Sequence, residues 1–251
     1  MAIACITGAS SGIGKEFAFR LSRKGFDLIL VARNTDALEK LAAALPTKCE
    51  IITCDLSSPK KCKKLGETLG KKRISILINN AGFGNVGSFI ESDLEKELAM
   101  IDVNIKALHI LTKALLPQMV QRDSGYILNV ASSAGLMQGG PYMAAYYATK
   151  AYVTSMTCAI YEELREQGSH VHISMLCPGP VDTNFNEVAN VKFALPGISV
   201  KYCVDYCLRQ MSRGRLTIIP SPLMQLAMFF CKHMPKKLLL PITAKQQMKK
   251  M

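Results

Sequence analysis

The chain has 251 residues, 49% of them hydrophobic and 20% charged, too apolar for a disordered chain and too charged for a bundle of membrane spans. One large core is affordable at this length, so a single globular α/β domain over 1–220 is expected, with 221–251 as an extension of it. Nine cysteines, odd in number and without a C-x-x-C pair, fit neither a disulfide framework nor a zinc site, so free thiols in a reducing cytosol and no metal are expected. The formal net charge of +12 is concentrated in the tail, where ten Lys/Arg of residues 201–251 face the single Asp205. No nucleic-acid reader motif or aromatic interleaving accompanies these charges, so no nucleic-acid partner is expected.

Short runs rich in Ile, Val and Leu alternate with longer amphipathic segments, the pattern of βα units winding a parallel sheet covered on both faces. The first run, 2–6, leads into Thr7-Gly8-Ala9-Ser10-Ser11-Gly12-Ile13-Gly14 and a helix over 12–24. Glycines there remove the Cβ atoms that would keep a dinucleotide's pyrophosphate from the N–H groups of a helix N-terminus. The second run, 27–32, ends at Arg33. A guanidinium binds a ribose 2′-phosphate that a carboxylate would repel, so Arg33 points to NADP(H). Asp36 is the competing ribose acid, or a first-turn charge of the helix over 36–44. The third run, 50–54, ends at Asp55 and Leu56, where Asp55 either accepts from an adenine amine or makes a turn.

Further along, a helix over 58–69, a strand over 75–79, a helix over 92–121 and a strand over 126–131 are predicted. Ser133 follows that strand at the carboxyl edge, where open α/β sheets bind ligands. On the next helix, 144–167, Tyr146 and Lys150 stand four residues apart on one face. A tyrosine hydroxyl titrates near ~10, and an adjacent ammonium stabilises its phenolate, which fits acid/base work. Ser133 could hold a carbonyl oxygen while Tyr146 protonates it. A strand over 170–176, a helix over 200–213 between the N-cap Ser199 and the stop Gly214, and a strand over 216–219 complete the pattern.

The glycine turn, Asn79-Asn80-Ala81-Gly82, Asn104, Ser133 with Tyr146-x-x-x-Lys150, and Pro178-Gly179 occur in one order over residues 3–183. In that order and spacing the chain resembles a short-chain dehydrogenase/reductase. The resemblance implies one Rossmann domain with a doubly wound, seven-stranded parallel sheet in the order 3-2-1-4-5-6-7, and hydride transfer between a nicotinamide and an alcohol or carbonyl. It also implies that Tyr146 is the general acid/base, that Lys150 binds the nicotinamide ribose and lowers the tyrosine pKa, that Ser133 orients the substrate oxygen, and that Asn104 holds a water of a proton relay. Tyr147, three residues from Lys150, is the competing tyrosine, and the family spacing selects Tyr146. Asn80, Ala81 and Gly82 resemble the segment beside the adenosine ribose; Pro178, Gly179, Val181 and Thr183 resemble the one cradling the nicotinamide. Family members usually pair through helices in the 92–121 and 144–167 regions, which implies a homodimer or homotetramer.

The segments that would select a substrate are apolar: Leu136, Met137, Pro141, Tyr142 and Met143, then Phe185, Val188 and Phe193, then the Met- and Phe-rich stretch 223–234. They point to a bulky hydrophobic ketone or alcohol such as a steroid, acyl chain or lipid. Together with Arg33 and the basic tail they resemble the branch near 17β-hydroxysteroid and 3-oxoacyl-thioester reductases. The tail stretch suits a lid over the pocket or a helix lying on a membrane surface. Residues 1–7 lack a secretory n-region, no run of 18 apolar residues occurs, and the N-terminal membrane segment of that branch's animal members is not seen. A cytoplasmic protein, with membrane contact at most through its tail, is therefore expected. The rival functions are a non-catalytic NADP(H) sensor and a membrane-surface interaction protein.

Overall fold

The computed structural model describes residues 2–183 and 197–248. Phe185, Val188 and Phe193 lie outside the described residues. Seven parallel strands form one sheet in the order β3-β2-β1-β4-β5-β6-β7. They are β1 (Ile3–Thr7), β2 (Asp27–Ala32), β3 (Cys49–Thr53), β4 (Ile74–Asn79), β5 (Gly125–Val130), β6 (Val171–Leu176) and β7 (Thr217–Ile218). The expected single Rossmann-type sheet and its strand order are thus found, with element ends within about two residues.

The helices that cover the sheet are α1 (Gly12–Arg23), α2 (Thr35–Ala43), α3 (Pro59–Gly70), α4 (Leu94–Ile101), α5 (Leu108–Gln121), α6 (Ala144–Glu166) and α7 (Val200–Met211). Successive strand residues point to opposite faces. Ala4, Ile6, Leu28, Leu30, Ile78 and Leu128 therefore join Phe17 and Leu21 of α1, Leu38 of α2 and Val204 of α7 in one core. Cys5, Ile29, Val31, Leu77 and Ile127 join Leu65 and Leu69 of α3 and Leu111 and Leu115 of α5 in the other. Ser199 caps α7, its hydroxyl accepting from Tyr202 N at 3.2 Å, and Gly214 takes the left-handed φ of +68° that a stop requires.

Two features depart from the sequence pattern. The helix expected over 92–121 is interrupted by a π-helical turn, Asp102–Ala107, between α4 and α5, and Asn104 sits in it. The tail folds into two helices, α8 (Pro222–His233) and α9 (Lys236–Met248), the second with Pro241 inside it. All nine cysteines are free thiols, and Cys5, Cys54, Cys62, Cys177, Cys203 and Cys207 are buried. Among the described residues no group of His, Cys, Asp or Glu could hold a metal.

Candidate active site

The strand order reverses between β1 and β4, and the loops leaving their carboxyl ends bound a crevice of the kind that takes ligands in open α/β sheets. Gly8 (φ +63°) and Gly12 (φ +52°) make the turn that only glycine adopts without strain. A Cβ on Gly14 would lie 2.2 Å from Gly8 O and 2.5 Å from Asn80 Nδ2, so the first turn of α1 sits flush against the turn before it. Ser11 occupies the N-cap in extended conformation without a side-chain capping bond, and no acid stands in the first turn. The positive end of α1 is thus left to face the turn that also holds Ser10 and Ile13. Thr183 packs over this end, 3.4 Å from where a Gly12 Cβ would be.

Thr7, which sequence reasoning passed over, joins the two sides of the crevice. Its Oγ1 accepts from Asn80 N (2.9 Å) and Ala81 N (3.0 Å), while Asn80 Nδ2 donates to Thr7 O (3.0 Å) and Gly8 O (3.2 Å). A threonine closing a first strand is the available signal, because its hydroxyl alone can bond the neighbouring strand's exit without lengthening the turn.

At the exit of β2, Arg33 is exposed, whereas Asn34 caps α2 by accepting from Ala37 N at 3.0 Å. Asp36 is a first-turn residue of α2. Asp55 Oδ1 accepts from Ser57 N (3.0 Å) and Ser57 Oγ (2.8 Å). These bonds, with the nearby Arg33 charge a smaller contribution, hold its carboxyl below the usual range. Asp55 thus makes the turn that leaves β3, with Arg33 near enough to act on its charge. Leu56 is buried beside it.

On the other side of the crevice, Tyr146 and Lys150 are both buried on α6, the ammonium 5.9 Å from the tyrosine ring centroid. The serine that reaches Tyr146 is Ser132, whose side chain hydrogen-bonds the tyrosine. This corrects the expectation for Ser133, which opens a 3-10 turn (Ser133–Leu136) and donates its N–H to Pro178 O at 2.9 Å. The physical reason is strand alternation: Ser132 is still extended (φ −174°, ψ 160°) and shares a side with Val130, two residues back. Counting residues back from Tyr146 crosses a loop whose length is free, so the count misses by one.

Lys150 Nζ donates to Val130 O at 2.9 Å. Asn104 Nδ2 donates to Phe83 O (2.9 Å) and Thr149 Oγ1 (3.0 Å), and its Oδ1 accepts from Phe83 N (3.1 Å). A Cβ on Gly82 would lie 2.9 Å from Asn104 Oδ1 and 3.3 Å from Lys150 Nζ, so Gly82, Asn104 and Lys150 converge. Burial pushes the Tyr146 hydroxyl up to about 12, the Ser132 bond opposing it, and pulls the Lys150 ammonium down to about 8. Desolvation thus sets the direction of both shifts. The protonated phenol is the form that can donate to an oxygen.

Pro178, Gly179, Val181 and Thr183 follow β6 along the edge of the same crevice, Val181 bridging Ile198. The tail closes over it. Met224 of α8 stands 2.8 Å from where a Gly179 Cβ would be, and Leu240 of α9 stands 3.2 Å from the same atom on Gly139. Gln247 Nε2 donates to the hydroxyl of Tyr147, which packs on Gly140. Tyr147 is thus committed to the tail. Tyr142, in the loop between, has a left-handed φ of +62°, and its carbonyl accepts from Gly87 N at 2.9 Å.

The family model described as short chain dehydrogenase matches residues 2–192. A very-long-chain 3-oxoacyl-CoA reductase of Laccaria bicolor is 37% identical over 65% of this chain and 50% of its own length, so the chain spans about half of that relative. An uncharacterized oxidoreductase of Staphylococcus epidermidis is 35% identical over 87% of this chain and 96% of its own. A short-chain dehydrogenase from Sphingobium yanoikuyae, solved in complex with NADPH, superposes with a TM-score of 0.83 at 31% identity, covering 94% of this chain and 97% of that one. Another from Burkholderia phymatum, solved with NAD, gives 0.81 at 25% identity over 91% and 92%. With the glycine turn, the strand order and the buried tyrosine and lysine already in place, these matches make the chain a member of the short chain dehydrogenase family.

Proposed function

We propose that the protein is an NADP(H)-dependent oxidoreductase that interconverts a carbonyl and a secondary alcohol on a bulky apolar substrate. The observation that carries this reading is the hydrogen bond between Ser132 and the buried Tyr146 beside Lys150, at the mouth of a glycine-lined crevice. The cradle that Cβ atoms on Gly8 and Gly14 would fill, and the exposed Arg33 at the exit of β2, fit a dinucleotide with a ribose 2′-phosphate. When bound, that dinucleotide supplies the hydride. Gly8, Ser10, Ser11, Gly12, Ile13 and Gly14 would hold its pyrophosphate, Arg33, Asp55, Leu56, Asn80, Ala81 and Gly82 its adenosine end, and Pro178, Gly179, Val181 and Thr183 its nicotinamide half.

In reduction, Ser132 and Tyr146 point hydroxyls at one substrate oxygen, and Tyr146 donates its proton as negative charge develops there. Lys150 would hold the ribose of the bound dinucleotide, and a water held by Asn104 would link Lys150 to the path by which a proton returns to Tyr146. Leu136, Met137 and Met143 give the pocket its apolar wall. The NADPH-bound relative and the 3-oxoacyl-CoA reductase relative support the cofactor and a fatty substrate class.

The test is NADPH and NADH consumption against steroid ketones, 3-oxoacyl thioesters, aliphatic ketones and aldehydes. Turnover with NADPH preferred is expected, Arg33→Ala narrows that preference, and Tyr146→Phe keeps NADPH affinity within a few fold while losing turnover by roughly 10²-fold or more. Tight NADPH binding without turnover of any carbonyl would favour a sensor.

A further inference from the structure

The two tail helices have two different faces. Inward, Met228, Leu239, Thr243 and Gln247 are buried. Outward, α8 exposes Leu223, Leu226, Phe229 and Phe230, each more than half accessible, and α9 exposes Leu238 and Ile242. In α8 these four recur at the three- and four-residue spacing of a single helix face. The two phenylalanine rings lie edge to face, 5.7 Å between centroids, and His233 lies against Phe229 at 4.9 Å. Large apolar side chains grouped in this way on a surface mark a contact with something apolar.

The charges around the face identify the occupant. Lys232, His233, Lys236 and Lys237 gather where α8 meets α9, and Lys245 follows on α9. No Asp or Glu follows Asp205 in the sequence. A helix of modest length with Phe and Leu outward, Lys beside them and no acid lies in the plane of a bilayer surface, the rings in the acyl boundary and the ammonium groups on anionic headgroups. No helix of the described residues is long and apolar enough to cross a membrane. We propose that the outer face of α8 and α9 docks the protein on anionic lipid bilayers as a peripheral contact. The docking does not depend on the reaction. The inner face of the same helices packs against Gly179 and Gly139 beside the crevice, so the same two helices serve as pocket wall and as membrane contact.

The experiment is co-sedimentation of the full chain with vesicles of phosphatidylcholine alone and of phosphatidylcholine with phosphatidylserine, at low and high salt. The molar mass in solution is measured by light scattering in parallel. The wild type is expected to bind the anionic vesicles at least about tenfold better than the neutral ones, with the difference reduced by salt. Phe229→Glu with Phe230→Glu should lose binding to both, and Lys236→Glu with Lys237→Glu should lose the preference for the anionic ones. Unchanged melting temperatures and NADPH affinity would show that the variants are folded. Absence of sedimentation with anionic vesicles overturns the proposal, as does binding that survives the phenylalanine substitutions. A fall in molar mass in the phenylalanine variant, without vesicle binding by the wild type, overturns it in favour of a second copy of this chain on the same face.

Discussion

Ser132 and Ser133 are adjacent, and one of them touches Tyr146. Ser132→Ala removes the hydroxyl bonded to the tyrosine and should lower kcat by about 10²-fold, the cost typical of one lost donor to a developing oxyanion. Ser133→Ala leaves the backbone N–H to Pro178 O in place and should change kcat by less than about threefold. Steady-state kinetics on the best carbonyl substrate decide the pair, and the reverse order would return the role to Ser133. The sequence made the tyrosine and lysine legible because four residues on a helix is a fixed geometry. It placed the serine one residue late because the strand-to-helix connection, with its left-handed Tyr142 and glycines at 135, 139 and 140, has no fixed rise per residue. Thr7 escaped notice for a related reason: its role lies in bonds to residues more than seventy positions away.

At the level of elements, the strands were readable because each is covered on both faces and so is apolar at consecutive positions. β7 pairs over only two residues, less than its apolar run implied. The π turn at Asp102–Ala107 left no mark, since one extra residue in a helical turn shifts the apolar pattern by less than the pattern's own scatter. α9 was hidden by Pro241, which argues against a helix interior, although the inward stripe Leu239, Thr243 and Gln247 outweighs the lost backbone bond. The packing of α1 on the glycine turn makes a sharper prediction. Gly14→Ala puts a methyl group 2.2 Å from Gly8 O, against backbone that cannot rotate away. The variant should lose about 1–3 kcal/mol of stability or more in thermal or urea unfolding. It should also bind NADPH measurably more weakly, because relief requires the turn to move.

For the whole molecule, the buried thiols set a limit on the alkaline side. Burial raises Cys5, Cys177 and Cys203 from 9.0 to about 12 and Cys62 to about 11. The unfolded chain therefore releases these protons from pH 9 upward while the folded chain retains them. Their contribution to stability is complete below pH 9 and is lost as pH rises toward the folded values. Lys150 acts in the opposite sense: its ammonium titrates at about 8 when folded and 10.5 when free, so the penalty of burying its charge is relieved between those values. Four thiols outweigh one lysine, and the melting temperature should hold through neutrality and then fall between pH 9 and 11. Lys150→Met should steepen that fall, as read by scanning calorimetry under reducing conditions. A melting temperature that rose above pH 9 would contradict the burial of these thiols.

A ladder of side-chain amides and hydroxyls runs beneath the crevice. Asn79 Nδ2 donates to Thr112 Oγ1 and to Asn129 Oδ1, each at 3.0 Å, and Asn129 Nδ2 donates to Thr157 Oγ1 at 2.9 Å. Asn79 and Asn129 are register partners across β4 and β5. The residues leaving β4 are Asn80 to Gly82, and those leaving β5 lead to Ser132. The two asparagines act as a vernier between the strand that leads to Asn80–Gly82 and the strand that leads to Ser132. A slip of one residue would move one side past the other by about 3.3 Å, roughly the whole separation at which reacting atoms must meet. Because the amides pair only in the observed register, the height at which a carbonyl carbon would meet a hydride is fixed from below, by residues that touch neither.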